Sequence, residues 1–287
     1  PGPVPDTWRS EGHAESATLW KRCANFDSPV GCNWLTRADQ DAVLCQSCRL
    51  NRTIPDLNIA ENSLWWRKIE IAKRRLVAQL LSLGLPVASR VAEDPEGGVV
   101  FDFLRSPEGG PRVLTGHASG LITLNVEEAD DAIREKNRLA LREPYRTLLG
   151  HFRHEIGHYY WDRLVAETAW LEKFRALFGD ERQDYAAALQ RNYEQGPPPN
   201  WADQYISSYA SVHPWEDWAE CWAHYMHVVD SLDTSLRLGL RGEDVEQTVE
   251  PFVASDLYDP TAPDTRSFIL LINSWVKLTT ALNELAR

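Results

Sequence analysis

The sequence predicts an α+β fold, mostly helical with a small sheet, preceded by a small four-cysteine module. Three observations support this class. Four of the five cysteines fall within residues 21–60, strand-like segments occupy residues 97–126, and the rest of the chain has helical character. A few strands followed by many helices are typical of α+β domains. We therefore divide the chain into a flexible leader (1–20), the module (21–60) and a larger domain (61–287).

The module contains the spacing C-x8-C-x12-C-x2-C, formed by Cys23, Cys32, Cys45 and Cys48. One CxxC pair with two further thiolates can close a tetrahedral zinc site. Such a site has no open position, so a zinc ion held there would be structural. Disulfides or free buried thiols are the alternatives that the spacing leaves open.

One long helix and two strands are predicted next along the chain. Apolar residues recur at steps of three and four from Trp65 to Leu83, which predicts a helix over residues 62–83. Residues 99–104 lie between glycine-rich turns, and residues 120–126 are rich in β-branched side chains. We expect the second of these strands to form an edge of the sheet beside the active-site cleft.

The motif HEIGH at 154–158 lies on a helix that we expect to begin near Pro144. His154 and His158 are one helical turn apart on one face, so both imidazoles could bind one zinc ion at about 2.0–2.1 Å. Glu155 is the candidate general base for a metal-activated water. A chance occurrence of the motif on a solvated helix is the alternative, and the apolar residues on the other face argue against it.

A catalytic zinc ion usually has three protein ligands, and residues 213–224 are the best source of the third. Glu216, Glu220 and His224 share one helical face there. We favour Glu216 as the ligand and Glu220 as the partner of a ligand histidine, and an exchange of the two roles stays open. Tyr209 is a candidate for stabilising an oxyanion, with His224 as its rival and simple packing as the alternative.

Composition and charge restrict the partners. The formal net charge is -12, which argues against a general nucleic-acid binder. Residues 21–75 carry a local charge of +4, so weak nucleic-acid or partner binding stays open for that part of the chain alone. No apolar run is long enough to span a bilayer, and the first residues lack a signal-peptide core. We therefore expect a cytoplasmic protein with no membrane partner.

Seven stretches of the chain carry a family resemblance. They are RCAN (22–25), CNWL (32–35), CRLNRTIPDL (48–57), TGHASGLITLNVEEADDA (115–132), EPYRTLLGHFRHEIGHYYWDRLV (143–165), FGDERQDYAAAL (178–189) and HPWEDWAECWAHYMH (213–227). In these motifs the chain resembles a bacterial family of zinc-binding metallopeptidases with an N-terminal zinc-ribbon-like segment. The resemblance implies a zincin-type domain with metal ligands at His154 and His158 and the base at Glu155. The pair Glu216 and Glu220 is similar to the Glu-x-x-x-Asp pattern of the gluzincin class.

Together these observations predict a zinc metallopeptidase with one catalytic and one structural zinc ion. Its substrate would be a peptide or protein, hydrolysed by Glu155-assisted attack of water. A zinc amidase acting on a small or modified amide is one alternative. The other is a zinc-stabilised binding or scaffold protein without activity. The intact Glu155 argues against a scaffold, because a purely structural site does not need that base.

Overall fold

The computed structural model describes residues 6–9, 18–141, 146–240 and 249–286. In these ranges the chain is about half helical with two small sheets, which confirms the predicted α+β class. The chain divides into two units, and the boundary lies within one helix. The first unit ends at Glu220, and the second begins at Cys221.

The N-terminal sheet has three short antiparallel strands in the order β1-β2-β3. They are β1 (Thr7–Trp8), β2 (Trp20–Arg22) and β3 (Leu35–Arg37). The predicted flexible leader at 1–20 therefore needs correction, because it supplies β1. Thr7 is buried, and the guanidinium of Arg22 lies 5.0 Å from the centre of the Trp8 ring. Residues 1–5 and 10–17 of the leader lie outside the described residues.

The second sheet has four strands in the order β4-β5-β7-β6. They are β4 (Asn51–Thr53), β5 (Val100–Leu104), β6 (Gly116–Ala118) and β7 (Leu121–Asn125). The first three strands in this order are parallel, and β6 is antiparallel to β7. The two strands predicted from the sequence are β5 and β7. β4 comes from the stretch that we assigned to the cysteine module, so that stretch and the larger domain share a sheet.

The prediction that residues 120–126 form a sheet edge is wrong. The chain turns back at Ser119 and Gly120, so β6 pairs with the outer side of β7 and becomes the edge strand. Gly120 has a φ of +82°, and a Cβ there would lie 2.9 Å from the carbonyl oxygen of Gly98. This tight turn therefore requires glycine.

Seven helices follow one another through the described residues. They are α1 (Ala60–Ser82), α2 (Asp131–Leu141), α3 (Leu148–Leu164), α4 (Leu171–Phe178), α5 (Tyr185–Gln195), α6 (Pro214–Arg237) and α7 (Thr265–Leu285). The helix predicted over 62–83 is confirmed as α1. Its fully buried Lys73 pairs with Glu70 at 2.7 Å and lies over the rings of Phe101 and Phe103 on β5. This buried ion pair joins α1 to the sheet.

The helix that carries the HEIGH motif is α3. It begins at Leu148, later than predicted, and the expected start at Pro144 lies outside the described residues. The hydroxyl of Thr147 accepts a hydrogen bond from the Gly150 amide at 3.0 Å, which caps the helix. Phe152 is fully buried, and its ring meets Phe101 edge-on at 5.6 Å. The apolar face of α3 thus packs on the sheet.

The second unit holds the rest of α6 and α7. Asn273 of α7 joins this helix to the loop before it. Its side-chain oxygen accepts a hydrogen bond from the Phe252 amide at 2.9 Å, and its side-chain nitrogen donates one to the Phe252 carbonyl oxygen at 3.0 Å. The rings of His227 and Trp275 meet at 5.4 Å. None of the helices in the described ranges is long and apolar enough to cross a membrane.

Candidate metal centre and active site

An aromatic cluster positions the first turns of α6 against α3. The Trp218 indole donates a hydrogen bond to the carbonyl oxygen of Gly157 at 2.9 Å. Trp161 of α3 meets Trp215 at 5.5 Å, and both rings belong to a cluster that includes Phe174 of α4. Large edge-to-face rings leave little freedom for sliding. Residue 157 lies inside the motif, so this contact fixes α6 at the level of the two histidines.

Two histidines of α3 converge on one carboxylate of α6. The Nε2 atoms of His154 and His158 are 3.3 Å apart. Oε2 of Glu216 lies 3.0 Å from Nε2 of His154 and 3.5 Å from Nε2 of His158. Glu216 is 2 % exposed, and its Oε2 makes no hydrogen bond of acceptable geometry among the described residues.

This triangle of atoms fits a zinc ion. Ligand atoms at 2.0–2.1 Å from a tetrahedral zinc are about 3.3–3.4 Å apart, close to the observed 3.0–3.5 Å. Two imidazole nitrogens and one carboxylate oxygen are also a common ligand set of catalytic zinc sites. His154, His158 and Glu216 could therefore hold a metal ion.

A second carboxylate of α6 contacts the far side of the same imidazole. Oε1 of Glu220 lies 2.7 Å from Nδ1 of His154. If Nδ1 donates that hydrogen bond, Nε2 presents its lone pair toward Glu216 and His158. Burial lowers the pKa of His154, but the nearby carboxylates of Glu216 and Glu220 outweigh burial and raise that pKa well above its usual value. The centre is therefore rich in negative charge and favours a cation.

Glu155 lies on α3 between the two histidines and is 9 % exposed. Burial raises the pKa of its carboxyl group, against the opposing charges of His154 and His158. No side chain in the described ranges donates a hydrogen bond to this carboxylate. A buried carboxylate with a raised pKa and no fixed partner has the properties of a general base.

Two tyrosines border the centre. The Tyr185 hydroxyl donates a hydrogen bond to Oε1 of Glu216 at 2.7 Å. The ring of Tyr209 lies 5.9 Å from that of His154. Burial, Glu216 and Tyr185 all raise the pKa of Tyr209, so its hydroxyl stays protonated and can donate. Sequence analysis missed Tyr185, because nothing in a separation of 31 residues indicates a contact with Glu216.

A third histidine, His117 on the edge strand β6, was also missed. Its ring stacks on His158 with 6.0 Å between centroids and 14° between planes. Its Nε2 accepts a hydrogen bond from the Gly120 amide at 2.9 Å. Burial, with a smaller effect of His158, lowers the pKa of His117 to about 4, so it is neutral at pH 7. A histidine in a segment with turn residues is a weak signal in the sequence alone.

Other histidines lie in different settings. Nδ1 of His151, one turn before His154, is 2.5 Å from Oε2 of the buried Glu128. The angles of this contact are poor for a hydrogen bond. His224 lies further along α6 in the second unit, and its role near the site stays a prediction.

The four module cysteines form a second cluster. Cys23, Cys32, Cys45 and Cys48 are all buried, and their Sγ atoms lie within 4.8 Å of one another. Sγ of Cys32 and Sγ of Cys45 are 3.7 Å apart, close to the roughly 3.8 Å between thiolates on a tetrahedral zinc ion. The amide of Cys48 donates to Sγ of Cys45 at 3.5 Å, and these four cysteines form no disulfide. These residues could also hold a metal ion.

Comparisons with known proteins identify the family to which the chain belongs. Residues 62–287 match the family model described as "Putative zinc-binding metallo-peptidase", and residues 3–59 match a zinc-ribbon domain. Relatives named as uncharacterized proteins occur in Mycobacterium tuberculosis and Mycobacterium bovis. Each is 44% identical over 266 residues, which is 92% of this chain and 74% of the relative. No solved structure matches. The chain therefore belongs to the family that this model describes, and a zinc-ribbon domain precedes the region that the model matches.

Proposed function

We propose that this chain is a zinc metallopeptidase that hydrolyses peptide bonds in a peptide or protein substrate. The observation that carries the proposal is the convergence of His154, His158 and Glu216, with the buried Glu155 beside them. The three donor atoms are the ligands of a catalytic zinc ion in this proposal. Zinc, when bound, lowers the pKa of a coordinated water to about 7 and polarises the scissile carbonyl.

The chain's own residues then move the protons. Glu155 takes a proton from the attacking water and delivers it to the leaving amine. Its buried position on α3 between the two histidines suits both steps, because one group must accept the proton and release it in one turnover. Tyr209, which keeps its hydroxyl proton, donates a hydrogen bond to the developing oxyanion. Glu220 holds His154 in the tautomer that a metal ligand requires.

A second zinc ion would be structural. The four cysteine thiolates would supply all four ligands of such an ion and would leave no position for substrate. Because such a site does not exist in the unfolded chain, its binding energy contributes directly to folding. The buried cysteine cluster supports this assignment. Strands β1, β2 and β3 have only two or three residues each, so a metal ion would supply stability that this small sheet does not.

A peptide is favoured over a small amide because a strand edge lies beside the histidines. β6 is the last strand of its sheet in the described ranges, and it lies against α3. Its residue His117 contacts His158 directly. An extended peptide could pair with such an edge through main-chain hydrogen bonds.

Incubation with a peptide library, followed by mass spectrometry of the products, tests the proposal. We expect cleavage of peptide bonds by the zinc-loaded protein, loss of cleavage in the His154→Ala and His158→Ala variants, and recovery when zinc is returned to chelator-treated wild type. Hydrolysis of small amides without peptide cleavage would show an amidase instead. Full zinc content with no turnover on either substrate class would indicate a binding or scaffold protein.

A further inference from the structure

We propose that Tyr185 is a positioning residue that restricts Glu216 to a single metal-binding oxygen. The inference rests on the proposed function, because it concerns the same centre. Its basis is that the two oxygens of the Glu216 carboxylate have different partners. Oε2 of Glu216 faces the two histidine nitrogens at 3.0 and 3.5 Å, whereas Oε1 accepts the Tyr185 hydroxyl at 2.7 Å.

Tyr185 is the first residue of α5, and the start of that helix is fixed. Its N-cap Asp184 accepts a hydrogen bond from the Ala187 amide at 3.0 Å. A helix with a side-chain cap begins at a defined residue, because the cap satisfies one of its free amides. The phenol therefore projects from a defined position rather than from a loose loop.

A buried histidine ties this helix start to the start of α6. His213 accepts the Trp215 amide on Nδ1 at 3.2 Å, so its Nε2 carries the proton toward the carbonyl oxygen of Gln183, also at 3.2 Å. The rings of His213 and Tyr185 meet edge-on at 5.3 Å. Tyr185 and Glu216 are therefore held relative to each other by contacts other than their own hydrogen bond.

The consequence concerns coordination number. A carboxylate can bind a cation through one or two oxygens, and a hydroxyl donor on one oxygen disfavours the two-oxygen mode. A catalytic zinc site needs a position left open for water and substrate. By engaging Oε1, Tyr185 would keep Glu216 from occupying that position. The hydroxyl is directed at the carboxylate, which separates this role from that of a donor to the substrate.

The test compares Tyr185→Phe with Tyr193→Phe. Tyr193 lies on the same helix and is 70 % exposed, so its variant controls for loss of a hydroxyl. A mild chelator would remove the metal from the histidine site, and Co²⁺ would replace it while zinc remains on the cysteines. We expect Tyr185→Phe to weaken Co²⁺ binding about 10-fold and to shift the visible spectrum toward a higher coordination number. Tyr193→Phe should match wild type, and Tyr185→His, which retains a ring donor, should recover part of the change.

Several results overturn the inference. Unchanged Co²⁺ affinity and spectrum in Tyr185→Phe, with or without a fall in turnover, would show that the hydroxyl does not act through Glu216. If Tyr185→Phe folds poorly, Tyr185→Leu, which also lacks a donor, replaces it: a weakened Co²⁺ affinity with a shifted spectrum in the folded variant supports the inference, and a wild-type affinity and spectrum refute it. The proposed function fails separately: in that case the Co²⁺ signal of wild type would be insensitive to His154→Ala.

Discussion

The two carboxylates of α6 should differ in their effect on zinc affinity, and the structure gives the size of the difference. Glu220→Ala removes the acceptor that lies 2.7 Å from Nδ1 of His154. A hydrogen bond to a charged group contributes about 1.5–3 kcal/mol, which corresponds to roughly 10- to 150-fold in a dissociation constant. The side chain of Glu220 is 19% exposed, so water can partly replace it. We therefore expect zinc affinity to fall about 10- to 30-fold.

Glu216→Ala should have a much larger effect. It deletes the oxygen that lies 3.0 Å and 3.5 Å from the two ligand nitrogens, and it leaves only two protein donors. We expect zinc affinity at this site to fall by more than about 100-fold, beyond the range of a residue that only orients a ligand. Asp233→Ala is the matched control, because Asp233 is an exposed acid on the same helix that pairs with Arg237 at 2.8 Å.

Competition with a chromophoric chelator at neutral pH measures all three variants on one scale. The order expected is Glu216→Ala weakest, Glu220→Ala intermediate and Asp233→Ala equal to wild type. A reversed order of the first two would show that Glu220 is the ligand and that the reasoning from the geometry is wrong. Equal zinc affinities in all three variants would show that neither Glu216 nor Glu220 contributes to metal binding.

Three further predictions concern folding. Cys45→Ser should lose one zinc ion and much of the stability of the protein, because metal binding contributes to folding; unchanged zinc content and melting temperature would contradict a structural site. Burial would raise the pKa of Glu128, but the close contact with His151 and its charge, together with Arg146 and the Thr115 hydroxyl, lower that pKa to about 2. The ionised Glu128 should therefore contribute about 3 kcal/mol to the free energy of unfolding. This contribution should be complete above about pH 4.5 and lost as the pH falls toward 2. Urea unfolding from pH 2 to 6 should show this loss in wild type and a flatter profile in Glu128→Gln. Trp218→Phe removes the 2.9 Å bond to Gly157 and should cost about 1 kcal/mol in the same assay, whereas no change would show that the indole contributes only by packing.

The class of fold and the helix of the candidate site could be predicted because their signals are local. The apolar period of α1 and the one-turn spacing of His154 and His158 are properties of single helices. Glu216 could also be predicted, since it shares one face of a predicted helix with Glu220. The metal-binding role of these residues remains a proposal.

The missed features depend on contacts between distant segments. β6 has only three residues, two of them small, so its sequence does not indicate a strand, and the error about the sheet edge follows from that. His117 approaches His158 only because β6 adds to the outer side of β7. Tyr185 reaches Glu216 through the packing of two helix starts. Pairing partners in a sheet and contacts between helix ends are set by tertiary structure, so no local pattern predicts them.

The central claim is that the buried Glu155 moves protons beside a bound zinc ion, and Glu155→Gln tests it most directly. The amide retains the shape of the side chain but cannot act as a base. Zinc content and melting temperature should match wild type, while turnover of the peptide identified in the library should fall by roughly 10²- to 10⁴-fold. Turnover at the wild-type rate by a zinc-loaded Glu155→Gln variant would contradict the mechanism.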